Sequence, residues 1–151
     1  MIVYLDTSAL NRVFDDQGQP RIYMEASSML LVFGLIEKRI ITIASSDALL
    51  YENGRNPYQE RRLFVAEVLR KARIHKTLDD VVNVRARAIE GMGIKGLDAL
   101  HLACAEQLNA SYFVTCDDRI IRKYRGEVSV LNPVEFTMRM FRDEESGHVD
   151  S

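Results

Sequence analysis

Four acids stand where chemistry could be done: Asp6, Glu52, Asp98 and Asp117. Asp6 directly follows the short apolar run Ile2 to Leu5, and Asp117 follows the run Tyr112 to Thr115. Glu52 sits on a short helix after a second apolar run, and Asp98 falls in the first turn of a later helix. Taken singly, Asp6 could form an Asx turn, Asp98 could favour its helix dipole and Asp117 could cap the next helix. Taken together, four carboxylates gathered at one rim would repel one another and call for a cation. Hard oxygen donors with no accompanying histidine and cysteine set suit Mg²⁺ or Mn²⁺ better than zinc. Such ions retain waters and meet phosphate oxygens, which points to phosphodiester chemistry.

The elements that must position these acids can be read from the apolar pattern. Ile2 to Leu5 is a buried strand that feeds a loop at Asp6-Thr7-Ser8. Arg21 to Lys38 carries Ile22, Ala26, Met29, Leu30 and Phe33 at helical spacing, and Ile40 to Ala44 follows as a strand. Ser45 and Ser46 can cap a helix over Asp47 to Glu52, which Asn53-Gly54 stops, and Asn56-Pro57 opens another running to about Arg73. Ile74 to Lys76 reads as a brief strand, and Thr77-Leu-Asp-Asp80 as a capping box for a helix ending at Gly91 or Gly93. Leu97 to Asn109 is a helix, Tyr112 to Thr115 a strand, Asp118 to Tyr124 a short helix and Val128 to Leu131 a last strand. Asn132-Pro-Val-Glu135 then starts a terminal helix.

Strands alternate with helices throughout and are continuous apolar runs, the pattern of a parallel sheet covered on both faces. The expected fold class is α/β, a single three-layer α/β/α domain with a mainly parallel sheet over residues 1–142 and a polar tail over 143–151. Ligands of such sheets bind beyond the carboxyl ends of the strands, where Asp6 and Asp117 fall.

Composition narrows the function classes. With 20 basic and 22 acidic side chains the net charge is −2, so any contact with nucleic acid must come from a local patch. Cys104 and Cys116 make neither a disulfide scaffold nor a zinc pattern, and a reducing cytoplasm is expected. The N-terminus lacks the features of a signal peptide, and the longest apolar stretch, Met29 to Ile36, falls well short of a membrane span.

Three segments in order, Val3-Tyr-Leu-Asp-Thr-Ser-Ala-Leu10, Leu97-Asp-Ala-Leu-His-Leu-Ala-Cys-Ala105 and Phe113-Val-Thr-Cys-Asp117, resemble the motifs of PIN-domain nucleases, particularly the VapC-type toxins of bacterial toxin-antitoxin pairs. The resemblance implies a PIN-like fold and a ribonuclease that hydrolyses RNA phosphodiester bonds with Mg²⁺ or Mn²⁺. It implies Asp6 and Asp98 as central metal ligands, with Glu52 and Asp117 completing the site, and Ser8 and Thr115 as nearby hydroxyls. It further implies a small antitoxin partner and a homodimer. The match is poorest around Glu52, where Asp47 competes for the role, and Asp118 stands next to Asp117. A PIN nuclease that processes RNA outside any toxin pair, or a silent PIN module that binds a partner, would carry the same motifs. Phosphatases want Asp-x-Asp after the first strand and receiver-like proteins an acidic pair there; Asp6-Thr-Ser is neither.

Among the basic residues, Arg12, after Asp6, and Arg119, after Asp117, are candidate substrate contacts; Arg61-Arg62 and Arg70 to Arg73 read as solvated helix faces. His101, three residues after Asp98, reads as a packing residue and is left out of the catalytic set.

Overall fold

Val3, Tyr4 and Leu5 are almost wholly buried because their strand, β1 (Ile2–Leu5), is the middle one of five. The computed structural model describes residues 1–150, with side chains through Arg142. The expected polar tail over 143–151 lies outside the residues whose side chains are described. The other strands are β2 (Thr42–Ser46), β3 (Ile74–Lys76), β4 (Tyr112–Val114) and β5 (Ser129–Leu131). They pair in the order β3-β2-β1-β4-β5, and every pairing is parallel. Val3 pairs with Ile43 on one side and Tyr112 on the other, so apolar runs face apolar runs across the centre of the sheet.

Helices cover both faces in the expected α/β/α arrangement. They are α1 (Thr7–Asn11), α2 (Pro20–Glu37), α3 (Asp47–Gly54), α4 (Gln59–Leu69), α5 (Asp80–Glu90), α6 (Gly96–Gln107), α7 (Asp118–Lys123) and α8 (Pro133–Asp150). Helix α2 packs with α8, α5 with α6, and α3 with both α4 and α6. Helix α6 fills the interior because Ala99, Leu102, Ala103, Cys104 and Ala105 are small or apolar, and all are buried.

Several boundaries differ from the sequence reading for local reasons. The segment after β1 is a helix, α1, where a loop was expected; Asp6 caps it by accepting from the Ala9 amide at 2.9 Å. A 3-10 turn (Arg12–Phe14) follows. Strand β2 begins two residues later than expected. Arg39 adopts a left-handed conformation (φ 58) and the Ile40 amide still bonds back to Leu35 O at 2.9 Å, so α2 unwinds before the strand can start. Helix α3 absorbs Asn53 and Gly54 rather than stopping before them, and α5 takes Asp79 as its cap, not Thr77.

Chain order runs outward from β1 to β2 and β3, then returns to β4 and β5 on the other side. The direction of winding therefore reverses between β1 and β4, which leaves a crevice at their carboxyl ends. Asp6 and Asp117 lie there.

Candidate active site

Asp6 leaves β1 only 3% exposed. Its Oδ1 accepts from Ser8 Oγ at 2.7 Å as well as from the Ala9 amide, so the residue caps α1 and is fixed in place at once. Burial raises its pKa, opposed by hydrogen bonds from the Thr115 and Ser8 hydroxyls and the Ala9 amide. Ser8 Oγ also accepts from the Cys116 amide at 3.0 Å, and Thr115 Oγ1 from the Asp117 amide at 3.0 Å. Ser8 and Thr115 therefore tie the end of β1 to the turn after β4.

Asp98 comes from the first turn of α6 and Asp117 from the N-cap of α7, where it accepts from the Arg119 amide at 2.9 Å. Glu52 reaches in from α3. Together with Asp6 these side chains line one open cleft of about 350 Å³. The structure thus brings all four expected acids together. Asp98 carries the electrostatic consequence: burial first, then the charges of Asp6, Glu52 and Asp117, push it up to about 6. Burial also works upward on Asp117, but the Arg119 side chain and amide outweigh it and hold the carboxyl below its usual range.

The two competing acids are elsewhere. Asp47 accepts from His75 at 2.8 Å and from the Leu78 amide at 3.0 Å, which directs it toward β3. Asp118 forms a paired contact with Arg21 at 2.7 Å on each oxygen.

His101 belongs to the site after all. Its Nε2 lies 2.8 Å from Glu52 Oε1 and its Nδ1 lies 2.7 Å from the hydroxyl of Tyr4, which is 2.7 Å from Ser46 Oγ. Ser46 in turn caps α3 by accepting from the Leu49 amide at 3.0 Å. An ionised Glu52 can only accept, so Nε2 carries the proton and Nδ1 receives the Tyr4 hydroxyl. Burial pushes the Tyr4 phenol well above its ordinary range, which keeps it a donor. The hydrogen bonds then run in one direction, Leu49 to Ser46 to Tyr4 to His101 to Glu52. Thr7 Oγ1 donates to the same Glu52 oxygen. Burial alone would raise Glu52, but the bonds from His101 and Thr7 prevail and lower it. Sequence spacing gave only the nearness of His101 to Asp98; its partner Tyr4 lies on β1, far away along the chain.

The expected basic contacts are partly occupied. Arg12 lines the cleft but bonds to Glu25 at 2.7 Å and Asp15 at 3.0 Å, and Arg119 reaches Asp117 at 3.3 Å. Arg61, expected on a solvated helix face, turns instead to Asp15 at 3.0 Å and to the carbonyl of Phe14 at 3.1 Å. A smaller hollow of about 140 Å³ shares Asp98 and Asp117 with the main cleft and adds Lys95 and Lys123. The sequence reading had no signal for Lys95.

In donor type the cleft fits a divalent cation: four carboxylates with two adjacent hydroxyls, no thiolate, and mutual repulsion that a cation would relieve. Among the described residues, no three His, Cys, Asp or Glu side chains are already converged as a finished metal site.

The parallel sheet and the carboxylate crevice at its winding reversal define an α/β protein built to present acids at a strand-end cleft. The chain belongs to the PIN domain family, whose model matches residues 3–126. PIN domains are generally nucleases. In fold it is similar to a chain in the crystal structure of VapBC2 from Rickettsia felis bound to a DNA fragment from their promoter. The TM-score is 0.55 and the identity 17%, over 87% of this chain and 98% of that one. No curated protein matches it in sequence. Among the described residues, no helix is long and apolar enough to cross a membrane.

Proposed function

We propose that this protein is a ribonuclease that depends on Mg²⁺ or Mn²⁺ and acts as the toxin of a toxin-antitoxin pair. The observation that carries the nuclease reading is the meeting of Asp6, Glu52, Asp98 and Asp117, from four distant segments, in one cleft at the winding reversal. Asp6 and Asp98 would hold the cation, with Glu52 and Asp117 completing its surroundings. When bound, such an ion supplies Lewis-acid stabilisation and an activated water for in-line attack on phosphorus. The side chains of this protein do the positioning. Ser8 and Thr115 fix Asp6, Thr7 and His101 hold one oxygen of Glu52, and Arg119 restrains Asp117. Lys95 and Lys123 place positive charge where a neighbouring phosphate would lie. Hydrolysis of this kind leaves 5′-phosphate and 3′-hydroxyl ends.

The toxin role, a small antitoxin partner and a homodimer rest on the resemblance of the three sequence motifs to VapC-type toxins, and the likeness in fold to VapBC2 agrees with it. The buried thiols of Cys104 and Cys116 suit the cytoplasm.

The test is cleavage of RNA by the wild type with Mg²⁺ or Mn²⁺ against EDTA, alongside Asp6→Asn, Asp98→Asn and Asp47→Asn. The first two variants should lose about a hundredfold or more in rate, and Asp47→Asn should cleave like the wild type. A wild type that leaves RNA intact with either ion ends the proposal.

A further inference from the structure

Tyr58 precedes α4 and, at 64% exposed, is the most exposed aromatic side chain among the described residues. A ring left in water forgoes the stabilisation that burial would bring, yet this one is held in place. Its amide donates to Asn56 Oδ1 at 3.0 Å, and the guanidinium of Arg61 lies 5.1 Å from its ring centroid. That guanidinium also lies 5.8 Å from the ring of Phe14. Its Nη1 donates to Asp15 and its Nη2 to the Phe14 carbonyl, which holds the guanidinium against the two rings. Phe14 is fixed in turn, edge-on to Phe64 at 5.3 Å. Phe14, Arg61 and Tyr58 are thus a pre-set series of flat groups that ends in an open aromatic surface.

This surface is part of the wall that Asp6, Glu52, Asp98 and Asp117 line. Building on the nuclease reading above, we infer that Tyr58 is a stacking plate that receives an unpaired nucleobase beside the phosphate to be cut. Every base has a π-face, so the plate tolerates sequence, but a base inside a duplex has both faces covered. Stacking on Tyr58 therefore favours an unpaired base at that position over a paired one. Each stacked base adds a factor of about 5 to 150 in affinity.

The test uses single-stranded RNA carrying 2-aminopurine, bound with Mg²⁺ to the full chain bearing Asp98→Asn. The chain has no tryptophan to obscure the emission. Binding should quench the probe. Adding Tyr58→Phe should keep the quench, whereas Tyr58→Ala should abolish it and weaken single-strand binding by about 5- to 150-fold, with duplex binding unchanged. With Asp98 intact, Tyr58→Ala should raise KM for single-stranded RNA and spare kcat. Equal quenching in Tyr58→Ala, a Phe variant as impaired as Ala, or parallel loss of duplex binding overturns the inference. So does a Tyr58→Ala variant whose only change is lost self-association in sedimentation, which would make the ring a protein contact. The two readings fail separately. A wild type that cuts RNA while Tyr58→Ala keeps its KM refutes only the plate, and a wild type that cuts none refutes the nuclease.

Discussion

Replacing Asp98 by asparagine should make the protein more stable in EDTA while removing its activity. Asp98 ionises near 3.8 in the unfolded chain and at about 6 in the fold, because burial and the neighbouring acids oppose its charge. Below pH 3.8 the carboxyl is protonated in both states and costs nothing. As pH rises from there to about 6 the unfolded chain loses the proton first, so wild-type stability falls; above about 6 the whole penalty is present. Two units would amount to about 3 kcal/mol. Asp98 keeps contact with solvent, and screening reduces this to about 1–2 kcal/mol, or about 2–8 °C in Tm for a domain of this size. Calorimetry of wild type and Asp98→Asn in EDTA should show a gap that opens between pH 4 and 6 and is then level. Saturating Mn²⁺ should narrow it by stabilising the wild type. An Asp98→Asn protein that is no more stable at pH 7.5, a gap independent of pH, or a wild-type Tm indifferent to Mn²⁺ would refute the reasoning.

His101→Ala removes the donor that steadies Glu52 and should weaken Mn²⁺ binding about 10- to 100-fold, read by calorimetric titration. It should also move the acid limb of activity to higher pH, since Glu52 loses a bond that lowers it; unchanged metal affinity would show that His101 only packs. Glu25 is 1% exposed and is shared by Arg12, Arg21 and Asn132. Glu25→Ala should cost about 3 kcal/mol, the lower end for breaking a buried ion pair because Arg12 keeps Asp15. Urea denaturation measures this, and a loss below 1 kcal/mol would mean that the cluster adds little.

The sheet was legible because Ile2 to Leu5 and Tyr112 to Val114 are unbroken apolar runs that only a covered strand explains. Where polar residues do the work of a strand the pattern fails: Ser45 and Ser46 pair with His75 and Lys76, and nothing in two serines announces it. Helix α1 escaped because five residues carry no period, and an aspartate before Thr-Ser reads equally as a turn. Asp6, Asp98 and Asp117 could be singled out because each stands at an element end, whereas Glu52, inside α3, was carried by the resemblance. His101, Tyr58 and Arg61 could not, because their roles are set by partners on other elements. The same holds for Glu25, which sequence presents as an ordinary helical glutamate but which joins α2 to the 3-10 turn and to the start of α8.

The distribution of the four acids along the chain governs when the cleft can exist. Glu52 and Asp98 arrive on helices that need the first two strands in place, and Asp117 follows β4, which pairs beside β1 only after Tyr112 has been synthesised. A chain ending before Tyr112 carries Asp6, Glu52 and Asp98 but lacks both Asp117 and the strand that pairs with the other edge of β1, so the cleft is complete only when three quarters of the chain has been made. The fourth acid and the second neighbour of the central strand therefore arrive together, on one short stretch of chain from Tyr112 to Asp117.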